Sequence, residues 1–301
     1  MSIEPDFLDE LARLERSLRH RTDSRRQGEQ RSANVGEGLT FSDYRRYTPG
    51  DDVRLIDWRV YARTDEHFIK QYEAERDLTV HVLLDSSASM GFGTERANKF
   101  EFGARVGLAF AYFAVVGHDS FRFSTIGTDA ERLDRGRSTR GELLRLLGAL
   151  NGTNPADRTA FFDALAAYAR TIRSRSLVVV VSDFLDSPDA IEDGIAALGD
   201  SEVLLVHLVA PEERDPDVTG DAVFEDPETG STQRAYFAGS TAESYRERLT
   251  EHVDDVAARA RRLRAEHVVV DTGADFFDAF ADIWAAREAR RATVAGDIRR
   301  V

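Results

Sequence analysis

The chain has 301 residues, enough for one large domain or two moderate ones, and its hydrophobic content of 42% is ordinary for a globular protein. It contains no cysteine, which excludes disulfides, zinc–thiolate sites and a cysteine nucleophile. The formal charge of −14 is concentrated late: residues 183–301 hold 27 of the 54 acidic groups but 13 of the 40 basic ones, which argues against a nucleic-acid-binding face there.

Lys70 and Lys99 are the lysines; every other basic side chain is arginine. An acid-rich, lysine-poor composition suits a high-salt (halophile) interior, where charge is screened, although a GC-rich genome gives the same arginine bias. The first thirty residues are charged throughout, and the longest uncharged apolar run, Val106 to Gly117, is too short to cross a bilayer. A soluble, cytoplasmic protein is expected.

Residues 5–21 are predicted helical, with Phe7 or Leu8, Leu11, Leu14 or Glu15, and Leu18 on one stripe. They open an N-terminal arm, residues 1–33, whose arginines (Arg13, Arg16, Arg19 and Arg25 among them) form a solvated face or a contact for anionic lipid or a partner. Residues 34–77 read as a small β-rich element, with a turn at Pro49-Gly50 and a strand over Phe68–Glu73. Arg54 and Asp57 are candidates for an ion pair there, and Trp58 for a core anchor.

Leu78 to Leu84 is an apolar strand that runs into Asp85, with hydroxyls following at Ser87 and Ser89. At the carboxyl edge of a strand, one anionic oxygen and two neutral ones suit a hard cation such as Mg²⁺, which takes oxygen ligands and needs only one or two carboxylates. The competing reading is a serine-rich turn capping the next helix.

Two resemblances attach to these residues. Asp85-x-Ser87-x-Ser89 after an apolar strand resembles the metal-ion-dependent adhesion site of von Willebrand factor A domains. Across residues 34–91, the run Tyr47-x-x-Gly50-Asp51-Asp52-x-Arg54-x-Ile56-Asp57-Trp58, then Ala62-Arg63, Glu73-x-Glu75 and Leu84-Asp85-x-Ser87-x-Ser89-Met90, is similar to the family known as domain of unknown function 58. That resemblance implies a β-rich segment followed by a von Willebrand A-like domain, and a working partnership with a MoxR-type AAA+ ATPase. Many members carry N-terminal membrane spans, and none is evident in this sequence.

The A-like domain is expected over residues 78–291, with a tail at 292–301. Its elements are a buried helix from Ala97 to Val116, a strand over Ser120–Ile126 paired with a short one near Glu131–Leu133, and an amphipathic helix from Thr139 to Leu150. A helix over Ala160–Ile172 and a strand over Leu177–Val181 follow, the latter ending at Ser182-Asp183-Phe184. Next come helix Asp189–Leu198, strand Val203–Val209, a hairpin insertion over 221–237, helix Ala242–Arg264, strand His267–Asp271 and helix Asp275–Arg291. Strand–helix alternation means a mostly parallel, Rossmann-like sheet flanked by helices. His81, His118 and His207 fall on separate elements, so no histidine cluster is expected.

The resemblance to A-type domains adds two ligands. A threonine six residues before the leucine of an Ala-Leu pair supplies a further hydroxyl; Thr159 has that spacing to Ala164-Leu165, while Thr153 keeps the usual Gly-Thr pair at another distance. Asp183, at the carboxyl edge of its strand, would hold a metal-bound water; ligands of open α/β sheets gather at that edge. The metal set is therefore Asp85, Ser87, Ser89, Thr159 and Asp183, for Mg²⁺ or else Mn²⁺ or Ca²⁺. The function expected is non-enzymatic: a cation-dependent protein-interaction module whose partner offers a carboxylate, with the MoxR-type ATPase and its substrates foremost.

Two alternatives stand beside it. One is a magnesium-dependent phosphotransferase of haloacid dehalogenase type with Asp85 as nucleophile. Ser87 stands where that chemistry needs a second carboxylate, and neither Lys70 nor Lys99 is well placed in sequence. The other is an A-like domain whose metal site is vestigial, for which Arg158 in place of the usual glycine speaks. No phosphate loop of the G-x-x-x-x-G-K type occurs.

Overall fold

Three segments dominate the core because their sequences permit little else. β3 (Thr79–Asp85), β6 (Ser176–Ser182) and β7 (Glu202–Val209) are runs of valine and leucine, the composition of strands covered on both faces. A computed structural model describes residues 2–27, 39–47, 57–64, 66–74, 78–94, 96–156, 160–174, 176–216 and 218–298. In it these strands join β4 (Ser120–Ile126), β5 (Ala130–Arg132) and β10 (Glu266–Asp271) in one six-stranded sheet.

The sheet order is β10-β7-β6-β3-β4-β5, parallel throughout except for the antiparallel edge strand β5. Taken in chain order, the first and fourth strands of this sheet, β3 and β6, are neighbours at its centre. The winding direction reverses between them, which makes that point the topological switch of a doubly wound sheet. This is the mostly parallel, Rossmann-like sheet that the strand–helix alternation implied, in the von Willebrand factor A-like architecture that the resemblance implied.

Helices cover both faces. Leu84, Val82, Val179, Val181 and Val206 point into a core shared with α1 (Phe7–Gln27), α3 (Lys99–Val116), α4 (Arg140–Gly152) and α9 (Phe276–Ile298). Leu83, Val178, Val180 and Leu205 point the other way, against α5 (Phe161–Ala169), α6 (Pro188–Ala197) and α8 (Gly239–Arg262). Alternate residues thus serve opposite layers, as the two-residue period of a strand requires. Between β7 and α8 lie the short helix α7 (Pro211–Arg214) and the hairpin of β8 (Gly220–Glu225) and β9 (Thr232–Phe237).

The chain divides into two compact units, Met1–His20 with Leu78–Val301, and Arg21–Asp77. The arm expected at 1–33 is therefore split. Ile3, Phe7, Leu8 and Leu11 are buried in the first core, and Asn151 exchanges hydrogen bonds with the backbone of Ile3 at 2.8 and 3.0 Å. α9 also runs past residue 291, to Ile298.

The second unit has β1 (Leu39–Arg46) antiparallel to β2 (Phe68–Ala74), with the register shifted between Phe41 and Asp43. It also has a helix that the β-rich reading missed, α2 (Trp58–Thr64). Asp57 is buried and its Oδ1 accepts the Val60 N–H at 3.3 Å, the bond of a helix cap. Trp58 follows the cap on the first turn and is 60% exposed, its ring edge-on to Tyr61, so it is not a core anchor. Arg54 and Pro49-Gly50 lie outside the described residues.

α3 packs closely on the sheet because it carries glycine where it crosses β3. A β-carbon at Gly107 would lie 2.6 Å from the Phe123 ring and 2.9 Å from Val82. Gly107→Ala should cost about 1–3 kcal/mol, the usual price of overpacking. Gly148→Ala on α4, where a β-carbon would meet nothing within 4 Å, should gain about 0.5–1 kcal/mol from helix propensity. Urea midpoints of the two variants should move in opposite directions.

Candidate functional site

β3 delivers Asp85 and β6 delivers Ser182 to the same edge of the sheet, since Leu84 is registered against Val181. The Ser182 hydroxyl donates to Asp85 Oδ2 at 2.6 Å, and the Ser87 N–H donates to Asp85 Oδ1 at 2.8 Å. A 3₁₀ turn over Ala88–Gly91 brings Ser89 back, leaving its Oγ 2.9 Å from Ser87 Oγ. Asp85, Ser87, Ser89 and Asp183 are all buried, and together they line one cleft of about 120 Å³. Burial, and then the charge of Asp183, push the Asp85 carboxyl up to about 7, against the hydrogen bonds from Ser182 and Ser87.

Asp183 has a partner that sequence reasoning placed elsewhere. Lys99, the first residue of α3, is fully buried, with Nζ 2.7 Å from Asp183 Oδ2 and 2.5 Å from Glu213 Oε1. Burial works against the ammonium, but Asp183 and Glu213 outweigh it and hold Lys99 above the usual lysine range. Asn98 caps α3 by accepting the Glu101 N–H and donates to Gly91 O at 2.9 Å, tying the helix start to the site loop. The available signal was composition: in a chain that otherwise uses arginine, a lysine directly after an N-cap asparagine opens an apolar helix.

The 151–156 connection also reaches the site, because the Ala156 N–H donates to Ser86 O at 3.1 Å. Thr153 does not point into the cleft. Its hydroxyl donates to Ala149 O at 3.1 Å, back along α4, and it lines a separate depression with Gly91, Thr94 and Asn98. Thr159 lies outside the described residues. A larger open depression of about 770 Å³, bounded by Ile172, Arg173, Gly199 and Asp200, sits beyond the opposite ends of the strands, away from Asp85 and Asp183.

Behind Asp183 the histidines do cluster, contrary to expectation. β7 and β10 are neighbours and α8 packs nearby, so His207 Nδ1 lies 3.1 Å from His267 Nε2, and the His252 ring lies 6.4 Å from that of His207. Phe184 sits in the left-handed region (φ 49°), held by its N–H donating to Ser182 Oγ and its carbonyl accepting from His252 Nε2 at 2.8 Å. Among the described residues, no three His, Cys, Asp or Glu side chains are placed to hold a metal between them. The oxygens of Asp85, Ser87 and Ser89 are a different donor set: a carboxylate and two hydroxyls around a cleft with room for an ion and a few waters, which fits a hard cation.

Two measurements follow from these buried charges. Lys99→Ala leaves Asp183 and Glu213 facing each other, and should destabilise by about 3–5 kcal/mol, with part recovered in the Lys99→Ala/Asp183→Asn double variant. Acid stability follows from the histidines. Burial, then Arg122, lowers His81 to about 4; burial, then His267, lowers His207 to about 3; burial, then Arg261, lowers His267 to about 4. Near pH 5 the unfolded chain protonates all three, while the folded chain alone keeps a proton on Asp85. Unfolding should then take up about two protons, so stability falls by up to about 2.7 kcal/mol per pH unit as pH drops from 6 to 5. Stability from urea titrations that is flat or rising over that interval would contradict this balance.

The chain is 27% identical over 299 residues to "Uncharacterized protein Rv1480" of Mycobacterium tuberculosis (strain ATCC 25618 / H37Rv), covering 97% of this chain and 93% of that one. It is 28% identical over 163 residues to "Uncharacterized protein MAV169" of Mycobacterium avium, 54% of this chain and 94% of that one. Among solved structures it is similar to conserved hypothetical protein BatB from Bacteroides thetaiotaomicron, with a TM-score of 0.43 and 13% identity over 70% of this chain and 99% of that one. It is also similar to a von Willebrand factor type A protein from Catenulispora acidiphila, with a TM-score of 0.41 and 12% identity over 73% of this chain and 43% of that one. Residues 43–269 match the family described as "Protein of unknown function DUF58", and the chain belongs to that family.

Proposed function

We propose that this protein is a non-enzymatic, divalent-cation-dependent recognition module that binds a carboxylate-bearing protein partner. The observation that carries this reading is the convergence of Asp85, Ser87 and Ser89 on one cleft at the switch point of the sheet. Asp85 would ligate Mg²⁺, or Mn²⁺ or Ca²⁺, through its carboxylate, and Ser87 and Ser89 through their hydroxyls. Thr159 would add a third hydroxyl, and Asp183 would act through water.

When bound, the ion supplies a Lewis-acidic position that an Asp or Glu oxygen of a partner can occupy. Lys99 sharpens this role. By neutralising Asp183 it leaves Asp85 as the carboxylate that faces the ion directly, and fewer anionic ligands preserve the ion's positive character. Family resemblance puts a MoxR-type AAA+ ATPase first among partners, with this chain as its adaptor or chaperone-like companion in the cytoplasm. No helix among the described residues is long and apolar enough to cross a membrane.

One observation favours a second reading. Lys99 reaches the site, and a phosphotransferase of haloacid dehalogenase type needs a lysine near the phosphoryl group. Against it, Ser87 stands where the general acid belongs, and the Lys99 ammonium is held between two carboxylates. The recognition module should show no turnover of phosphoesters in the presence of Mg²⁺. Affinity capture in Mg²⁺ or EDTA, with wild type and Asp85→Ala, tests the main reading. An ATPase subunit should be retained only with metal and intact Asp85, while both proteins keep the same circular dichroism. Equal recovery under all four conditions would favour a vestigial site.

A further inference from the structure

Most residues that line the cleft come from the carboxyl edge of the sheet and the loops that follow it, and Phe162 from α5; Glu228 comes from the tip of the β8–β9 hairpin. The turn that carries it is internally fixed. Asp226 Oδ1 accepts the Glu228 N–H at 2.9 Å, Asp226 Oδ2 accepts the Thr229 hydroxyl at 2.5 Å, and Asp226 O accepts the Gly230 N–H at 2.8 Å. Gly230 takes the positive φ of 64° that closes the turn. Of the turn's two carboxylates, Asp226 organises the turn and Glu228 lines the cleft. Residues 226–231 include no large apolar side chain that packing would seat there. The hairpin is anchored instead at its base, where Phe237 is buried and lies 5.6 Å from Phe224, while Val223 and Tyr236 are 65% and 70% exposed.

We infer that Glu228 is a built-in ligand for the cation site, so that the hairpin occupies the position a partner's carboxylate would take. This deepens the cation-dependent reading above and rests on it. A site with Asp85 as its one direct carboxylate and Asp183 neutralised by Lys99 leaves a hard cation short of anionic oxygen. A carboxylate tethered on the same chain competes at an effective concentration in the millimolar range, so a lone external carboxylate does not displace it. A partner must bring further contacts, and the hairpin thereby sets a threshold against indiscriminate binding of acidic peptides.

The test is Mn²⁺ titration calorimetry on the full chain, combined with amide hydrogen exchange of residues 220–237 with and without Mn²⁺. Wild type, Glu228→Gln, Asp186→Asn and Asp85→Asn are compared; Asp186 also lines the cleft and controls for general loss of negative charge. Glu228→Gln should raise the Mn²⁺ dissociation constant about tenfold and abolish Mn²⁺-induced protection of the hairpin, while Asp186→Asn changes affinity by less than about threefold. If wild type and Glu228→Gln bind Mn²⁺ equally and protect the hairpin equally, with Asp85→Asn inert, the Glu228 assignment fails and the cation site stands. If wild type itself takes up no Mn²⁺, the cation reading fails and the assignment with it.

Discussion

The site depends on the parallel pairing of β3 with β6, which puts the Ser182 hydroxyl 2.6 Å from Asp85 Oδ2. Two strands separated by more than ninety residues end side by side, because the sheet winds outward in both directions from that seam. The loops that follow them must turn away from each other, and a crevice opens between. Asp85 and the serine loop from β3, and Asp183 from β6, line that opening, and Lys99, from the helix that leaves β3, bonds Asp183. Shifting the register by one residue would turn Asp85 away from Ser182 and reverse every core side chain of the strand.

The electrostatics of the crevice are unbalanced by design of the fold. Asp85, Asp183, Asp186 and Glu228 all line it, and the Lys99 ammonium behind it is bonded to Asp183 and Glu213. Asp85 is left with neutral donors alone, and burial drives its carboxyl up to about 7. A buried acid in that condition is costly to ionise unless a cation comes to it. The Lys99 pair neutralises Asp183, which lines the same cleft, and so supports the indirect role proposed for it.

Much of the fold could be read from the sequence because its strands are chemically extreme. Valine and leucine runs over 178–181 and 203–206 admit only buried strands, and the residue that ends such a run lies at the sheet edge. Asp85 and Asp183 are placed by that rule alone. What could not be read needs knowledge of neighbours. Lys99 enters the site because α3 starts beside the end of β6 and near Glu213 on α7, contacts that span 84 and 114 residues of sequence. The histidines gather because β10 pairs with β7, which strand order decides and spacing does not. Trp58 misled by its size: its place one residue after a capping aspartate, on the first turn of a short helix, carries more information than its hydrophobicity.

Sequence also cannot show that a hairpin inserted after β7 returns its tip to the cleft beside β3 and β6. The central claim, that oxygens from β3 and its loop converge to hold a divalent cation, is tested most directly by anomalous scattering from crystals grown with Mn²⁺. The account predicts one strong peak in the cleft at bonding distance, about 2.1–2.3 Å, from Asp85 and the hydroxyls of Ser87 and Ser89. A well-ordered crystal with no peak there, or with Mn²⁺ bound only at surface carboxylates, would contradict it.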